Sequence, residues 1–291
     1  MSSAEKPKTT MEFKSLTPNT KLPVLGLGTW EMGGEEEADT TYDRENILAI
    51  RTAIELGMTH IDTAEAYGRG HSEDLVGEAI SGFRREDLFI TTKVSPEHLR
   101  YDDVIACAKE SLQRLRTEYI DLYLIHHPNP EIPIRETMKA LDFLAERESV
   151  RYVGVSNFSV EQMREAQECS HNKIIANQIE YNLLVRNQGM HTINMESKII
   201  PYCQENGMLV IAWCPLARGK LVRRGYKILD ELAEKYSKTQ AQIALNWLIS
   251  KKSVVTIPKA SNIKHLQENL GAISWKLEQE DIHVLDNEFR R

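Results

Sequence analysis

The chain has 291 residues, of which 41% are hydrophobic and 27% charged. That composition fits one large or two ordinary globular domains with a sizeable core and excludes a disordered or fibrous chain. A net charge of −7 argues against a broad nucleic-acid surface. The four cysteines, Cys107, Cys169, Cys203 and Cys214, are widely spaced without a Cys-x-x-Cys and are expected to be reduced thiols. Residues 1–10 are polar and read as a flexible tail, and no run approaches the ~18 apolar residues of a membrane span. A cytoplasmic protein with no nucleic-acid or membrane partner, a monomer or weak oligomer, is expected.

The first predicted feature is a hairpin, 13–16 and 22–25, joined by Thr17-Pro18-Asn19-Thr20. A strand at 25–29 follows, then a long acidic loop, 33–43, and a helix, 45–56, closed by Gly57 in a left-handed cap. Strand 60–64 leads to helix 72–81, where Ser72 is the expected N-cap and Glu73 and Asp74 suit the helix dipole. Strands 88–94, 120–126, 152–156 and 174–180 precede helices 101–115, 134–147, 160–168 and 196–205. Strand 209–213 leads into helix 226–236 and a further helix, 239–250, where Thr239 and Gln242 form a capping-box pattern. Strand 254–257 precedes helix 262–270, and a last helical stretch covers 278–288. Eight strands each followed by helix predict an α/β fold, a closed parallel (β/α)8 or TIM barrel. The hairpin is expected to plug its base, with additional helices near the C-terminus. No linker divides the chain, so residues 1–291 read as a single barrel domain. The competing open doubly wound sheet expects Gly-x-Gly-x-x-Gly after its first strand; Gly26-Leu27-Gly28-Thr29-Trp30 lacks the third glycine.

Three predicted strands end on ionisable residues. Thr59-His60-Ile61-Asp62 delivers a carboxylate, with Tyr67 just beyond. Leu88-Phe89-Ile90-Thr91-Thr92-Lys93 delivers an amine, and Tyr119-Ile120-Asp121-Leu122-Tyr123-Leu124-Ile125-His126-His127 delivers imidazoles. Burying unpaired charge is costly, and sites of such barrels form where strands end. Asp62, Tyr67, Lys93 and His126 are therefore expected to meet at one mouth. A phenol near an ammonium is expected to have its pKa lowered, which lets it donate a proton to a carbonyl oxygen turning into an alkoxide. A neutral imidazole can orient that oxygen. Strand alternation points one of His126 and His127 inward and leaves open which.

The segments His60-Ile61-Asp62-Thr63-Ala64-Glu65-Ala66-Tyr67-Gly68, Thr92-Lys93-Val94, Asp121-Leu122-Tyr123-Leu124-Ile125-His126 and Gly154-Val155-Ser156-Asn157-Phe158 closely resemble the aldo-keto reductases. The match is ordered and spans nearly the whole chain. The resemblance implies NADPH-dependent reduction of aldehydes and ketones to alcohols, and the reverse oxidation. It implies Tyr67 as proton donor, Lys93 and Asp62 as the pair tuning it, and His126 as the carbonyl-orienting group. Trp30, Tyr67, His126 and His127 would line the substrate pocket, His127 replacing a bulky residue, often Trp.

The same resemblance implies a dinucleotide groove. Gly28, Thr29 and Trp30 would line the nicotinamide end, near Asp62, and Ser156, Asn157 and Gln178 would bind the carboxamide. Trp213 would stack on the nicotinamide ring, where the family usually has Tyr. Cys214, Pro215, Leu216 and Arg218 would follow the pyrophosphate. Lys259, Ala260 and Ser261, with His265, Glu268 and Asn269 on the following helix, would meet the adenosine end, where a helix N-terminus and a lysine favour a 2′-phosphate. His265 stands where an arginine is usual and cannot clamp phosphate bidentately. NADPH is thus the expected cofactor, with NADH usable too. The chain stops at Phe289-Arg290-Arg291 without the long closing loop of many relatives, which implies an open pocket and broad specificity. The acidic run Glu35-Glu36-Glu37-Ala38-Asp39 is expected to be a solvated face, with lining of the mouth as the alternative.

Two other functions compete. A cofactor-binding regulatory or sensor subunit of the same fold would bind without turnover. A metal-dependent barrel hydrolase would use His60, Asp62, His126 and His127, but later strands lack further His ligands, so no metal is expected.

Overall fold

The computed structural model describes residues 10–223 and 225–290, so all of the expected tail except Thr10 lies outside the described residues. Strands β1 (Phe13–Thr17) and β2 (Thr20–Pro23) form the antiparallel hairpin. The barrel then runs β3 (Leu27–Gly28), α1 (Asp43–Glu55), β4 (His60–Asp62), α2 (His71–Ile80), β5 (Phe89–Val94), α3 (Tyr101–Arg114), β6 (Ile120–Ile125), α4 (Ile134–Glu146), β7 (Val150–Ser156) and α5 (Val160–Glu168). It continues with β8 (Ile174–Glu180), α6 (Ile200–Glu205), β9 (Leu209–Trp213), α7 (Lys227–Tyr236), α8 (Gln240–Ser250), β10 (Val254–Thr256), α9 (Ile263–Leu270) and α10 (Gln279–Glu288). Strands β3 to β10 are parallel and adjacent in chain order. A parallel bridge between Leu25 and Thr256 closes the ring. It is made by Gly26 N–H donating to Thr256 O at 2.9 Å and Thr256 N–H donating to Val24 O at 3.0 Å.

The strands read as near-continuous apolar runs because both of their faces are buried. Phe89, Leu122, Leu124, Leu209, Ile211 and Val255 pack together inside the barrel, and Leu16 and Leu22 of the hairpin join them from below. A larger layer, including Ile90, Tyr123, Ile125 and Val153, packs outward against the helices. The hairpin closes the base as expected. Lys14 Nζ donates to the carbonyls of Ile249, Lys251 and Val254, each at 2.6 Å.

Gly26 and Gly28 have a packing explanation. A Cβ on Gly26 would lie 2.8 Å from His60 Nδ1, and one on Gly28 would lie 2.7 Å from Ile257 O. The glycines let β3 approach its two neighbours.

Two local expectations are corrected. The N-cap of α2 is Gly70, at φ 89, rather than Ser72. Ser72 is fully buried, and its hydroxyl is 2.8 Å from Thr29 Oγ1 and 3.1 Å from Thr63 Oγ1. The helix expected at 196–205 begins with a π turn, Met195–Ile199, before α6. Ile200 N–H reaches back to Met195 O, and Pro201 has no N–H with which to restore the α pattern. The Thr239 and Gln242 capping box is formed in full. All four cysteines are free thiols. Among the described residues, no helix is long and apolar enough to cross a membrane.

Candidate active site

Strand alternation puts His60 and Asp62 of β4, and Phe89, Thr91 and Lys93 of β5, on the inner face of the barrel. At the C-terminal rim, Lys93 Nζ is 2.6 Å from Asp62 Oδ1 and 3.3 Å from the Tyr67 hydroxyl. It also donates to Thr63 O at 2.7 Å. Gln178 Nε2 donates to Asp62 Oδ2 at 2.7 Å. The carboxylate is thus held between an ammonium and an amide, and Lys93 is fully buried. Tyr67 reaches the rim on a short 3-10 turn, Tyr67–Gly70, in which Gly68 and Arg69 adopt left-handed angles. The acidic loop braces that turn: Glu35 O accepts from Gly68 N–H at 2.9 Å, and Glu37 pairs with Arg69. A face expected to be merely solvated therefore supports the tyrosine.

The rings of Tyr67 and His126 meet edge to face, with centroids 5.7 Å apart. His126 and His127 both reach the mouth, stacked at 5.0 Å. This corrects the expectation that only one would, since β6 ends at Ile125 and strand alternation no longer constrains the pair. His191, which sequence reasoning missed, lies 4.4 Å from His127 and 6.3 Å from Trp213 by ring centroids. It sits on the loop between β8 and α6, far from any strand-end pattern.

Burial and charge act against one another here. Burial raises the Tyr67 pKa and outweighs the opposing Lys93 ammonium, so the net direction is upward, contrary to the expectation from the lysine alone. Burial alone would lower Lys93, but Asp62 and Tyr67 reverse it and the ammonium is retained. His126 is held well below the ordinary imidazole range by burial first and then by Lys93, His127 and His191. His127 is lowered to about 4, mainly by burial. The mouth therefore combines a protonated phenol, an ammonium and neutral imidazoles at neutral pH.

The residues expected to line a dinucleotide groove surround this rim. Asn157, at φ 63, is a hub. Its Nδ2 lies 3.1 Å from His126 O, 3.2 Å from His127 Nδ1 and 3.0 Å from Ser156 Oγ, and its Oδ1 accepts from Trp213 Nε1 at 3.2 Å. Thr29 Oγ1 donates to Asp62 O at 3.1 Å. After β9, Cys214, Ala217 and Arg218 all have positive φ, at 54°, 50° and 54°. Such strained non-glycine backbone tends to gather where ligands are held. Pro215 and Leu216 lie within this stretch.

Two contacts cross the groove. The Arg218 guanidinium lies 4.9 Å from the Trp30 ring centroid, and Lys259 Nζ is 2.8 Å from Glu31 Oε2. Ala260 is buried and Ser261 exposed just before α9. Asn262 caps that helix by accepting from His265 N–H at 2.9 Å, and its Nδ2 lies 3.1 Å from His265 Nδ1. The imidazole is folded back on the cap. Glu268 and Asn269 lie farther along α9, Asn269 buried.

The four residues of the competing hydrolase do not form a ligand set. His60 Nε2 is 3.0 Å from Thr91 Oγ1 inside the barrel, while Asp62 is committed to Lys93 and Gln178. Among the described residues, the one gathering of His, Cys and carboxylate atoms with metal-ligand spacing is elsewhere, at Glu65, His98 and Cys107.

Comparison with known proteins accounts for this geometry. The sequence model of the Aldo/keto reductase family matches residues 24–288. Methylglyoxal reductase YeaE of Escherichia coli (strain K12) is 35% identical over 275 residues, covering 93% of this chain and 92% of that protein. Glyoxal reductase of Bacillus subtilis (strain 168) is 33% identical over 282 residues, covering 96% and 94%. Among solved structures, a thermostable aldo-keto reductase in complex with the inhibitor epalrestat superposes with a TM-score of 0.90 at 44% identity, covering 95% of this chain and 99% of that one. An aldo/keto reductase from Klebsiella pneumoniae in complex with NADP and acetate gives 0.83 at 33% identity, covering 93% and 92%. The chain belongs to the aldo/keto reductase family.

Proposed function

We propose that this protein reduces small aldehydes and ketones to alcohols with NADPH, and that Tyr67 donates the proton. The observation that carries the reading is the buried Lys93 ammonium, 2.6 Å from Asp62 and 3.3 Å from the Tyr67 hydroxyl at the barrel rim. Methylglyoxal and glyoxal are named for two relatives, and a mouth lined by His126, His127, His191 and Trp213 suits small polar carbonyls of that kind.

The groove fits a phosphorylated dinucleotide by its donor set. Gln178 and Asn157 offer amides, Trp213 a flat aromatic face, and Lys259 a cation at the start of α9. When bound, NADPH supplies the hydride. Tyr67, kept protonated by burial, transfers its proton to the carbonyl oxygen as negative charge develops there. Lys93, fixed by Asp62 and Thr63 O, places positive charge beside the phenolate left behind. Neutral His126 donates a hydrogen bond to the same oxygen and orients it. Aldehydes, less hindered and more electrophilic, react faster than ketones.

Tyr67→Phe keeps the ring and removes the acid. It should lower kcat by about 10²- to 10⁴-fold, with NADPH affinity, read by fluorescence titration, nearly unchanged. Turnover close to that of the unaltered protein would rule out Tyr67 as the acid.

A further inference from the structure

Glu65, His98 and Cys107 come together on the outer side of the barrel wall, behind the strand ends that form the reaction mouth, where Glu65 N–H donates to Lys93 O at 3.4 Å. Glu65 follows β4, His98 follows β5, and Cys107 lies on the buried face of α3. Three separate elements thus deliver one carboxylate oxygen, one imidazole nitrogen and one sulfur, all within 4.8 Å of one another. Glu65 is 8% and Cys107 9% exposed, whereas the His98 side chain is 52% exposed. Glu65 Oε1 accepts from Ser95 N–H at 2.8 Å and lies 2.9 Å from His98 Nδ1.

A second observation points to the same place. Tyr123, fully buried on the outer face of β6, has a hydroxyl with no hydrogen-bond partner among the described residues. Burial raises its pKa well above the ordinary phenol range, and the negative charges of Glu65, Cys107 and Glu73 push it the same way. Buried hydroxyls are normally satisfied, so an unpaired one within the electrostatic reach of Glu65 and Cys107 adds to the case that something else can complete this region.

We propose that Glu65, His98 and Cys107 form a binding site for a borderline divalent cation of the zinc type, separate from the carbonyl chemistry. The donor set decides the class. Calcium and magnesium require oxygen ligands, whereas sulfur, imidazole nitrogen and carboxylate oxygen together suit zinc. Tetrahedral bonds to such a cation hold ligand atoms about 3.3–3.7 Å apart; the atoms here lie within 4.8 Å of one another, and the 2.9 Å Glu65–His98 contact would widen as the cation enters. The half-exposed His98 ring gives a path from solvent, from which a water would supply the fourth ligand. Ser95 N–H already orients the carboxylate, as supporting hydrogen bonds do in metal sites. On binding, a metal–sulfur bond replaces the Cys107 S–H bond and the thiol proton leaves to solvent. The His98 Nδ1 proton now shared with Glu65 is also given up, so that the neutral ring keeps its proton on Nε2; no oxidation state changes. Glu65 stands two positions before Tyr67, so the cation would tether the catalytic loop to α3.

The test uses chelator-treated full-length protein with Co²⁺ as a spectroscopic probe and Zn²⁺ in calorimetric titration. The expected result is one bound cation per chain and a near-ultraviolet thiolate-to-cobalt charge-transfer band. That band should vanish in Cys107→Ser, and His98→Ala should weaken Zn²⁺ binding by about tenfold or more. His98 is half exposed, so its variant reports on the site even if Cys107→Ser does not fold. Absence of the band in the unaltered protein, its persistence in Cys107→Ser, or undiminished Zn²⁺ affinity in His98→Ala would each overturn the proposal.

Discussion

His60 lies one layer below Asp62 inside the barrel, its ring edge-on to Phe89 at 5.5 Å. Its Nδ1 has no partner among the described residues. Burial lowers its pKa from the ordinary 6.5 to about 4. The folded chain therefore keeps this imidazole neutral where the unfolded chain takes up a proton. Between pH 6.5 and about 4 the unfolded state binds more protons, so the contribution is full above 6.5 and is lost as pH falls through that window. Its size is on the order of 3 kcal/mol. His127, also lowered to about 4, adds a smaller effect of the same sign because it is only partly buried. In His60→Asn the decline of Tm between pH 7 and 4.5 should be shallower than in the unaltered protein; parallel declines would show that His60 is not the acid-sensitive group. A substitution at Gly26 would press on the same ring, since an added Cβ comes within 2.8 Å of Nδ1.

At the scale of elements, the loop after β3 faces the loops after β9 and β10 across the proposed cofactor groove. Glu31, at φ 64, pairs with Lys259, the cation expected to read a 2′-phosphate. The carboxylate and the phosphate would compete for one ammonium. In Glu31→Gln, NADPH should bind about two- to fivefold more tightly, the range expected for an exposed pair, while NADH affinity stays the same. Titration of both cofactors checks this, and an equal gain for both would show that Glu31 does not compete with the phosphate. This pairing was not legible in the sequence, because its partners are 228 positions apart. The strands were legible, since runs buried on both faces are apolar throughout, and so was the convergence of Asp62, Lys93 and His126 from three strand ends. The start of α2 was missed because a left-handed Gly70 after a tertiary-braced turn overrode the local preference for Ser72. His191 was missed because only the folded loop brings it to His127. The direction of the Tyr67 shift was misjudged because a motif shows the neighbouring charge but not the depth of burial.

For the molecule as a whole, the join between first and last strands differs from every other. No helix connects β10 back to β3; the two are held by the Leu25–Thr256 bridge and a longer Gly28 N–H to Pro258 O contact of 3.4 Å. By comparison, β6 and β7 are in register at five positions from Ile120–Val150 to Ile125–Val155. The residues proposed to grip the dinucleotide lie on both sides of this join, Gly28 to Trp30 on one and Lys259 to Ser261 on the other. Local opening free energies vary across a fold and are lowest where few hydrogen bonds hold. Bound NADPH should therefore slow amide hydrogen exchange at Gly26 and Thr256 far more than within β6 and β7. Uniform slowing across all strands would mean that the nucleotide stabilises the fold only globally. With selective slowing, the cofactor would be a reversible fastener for the ring, and the apo protein would breathe at the doorway through which the nucleotide enters.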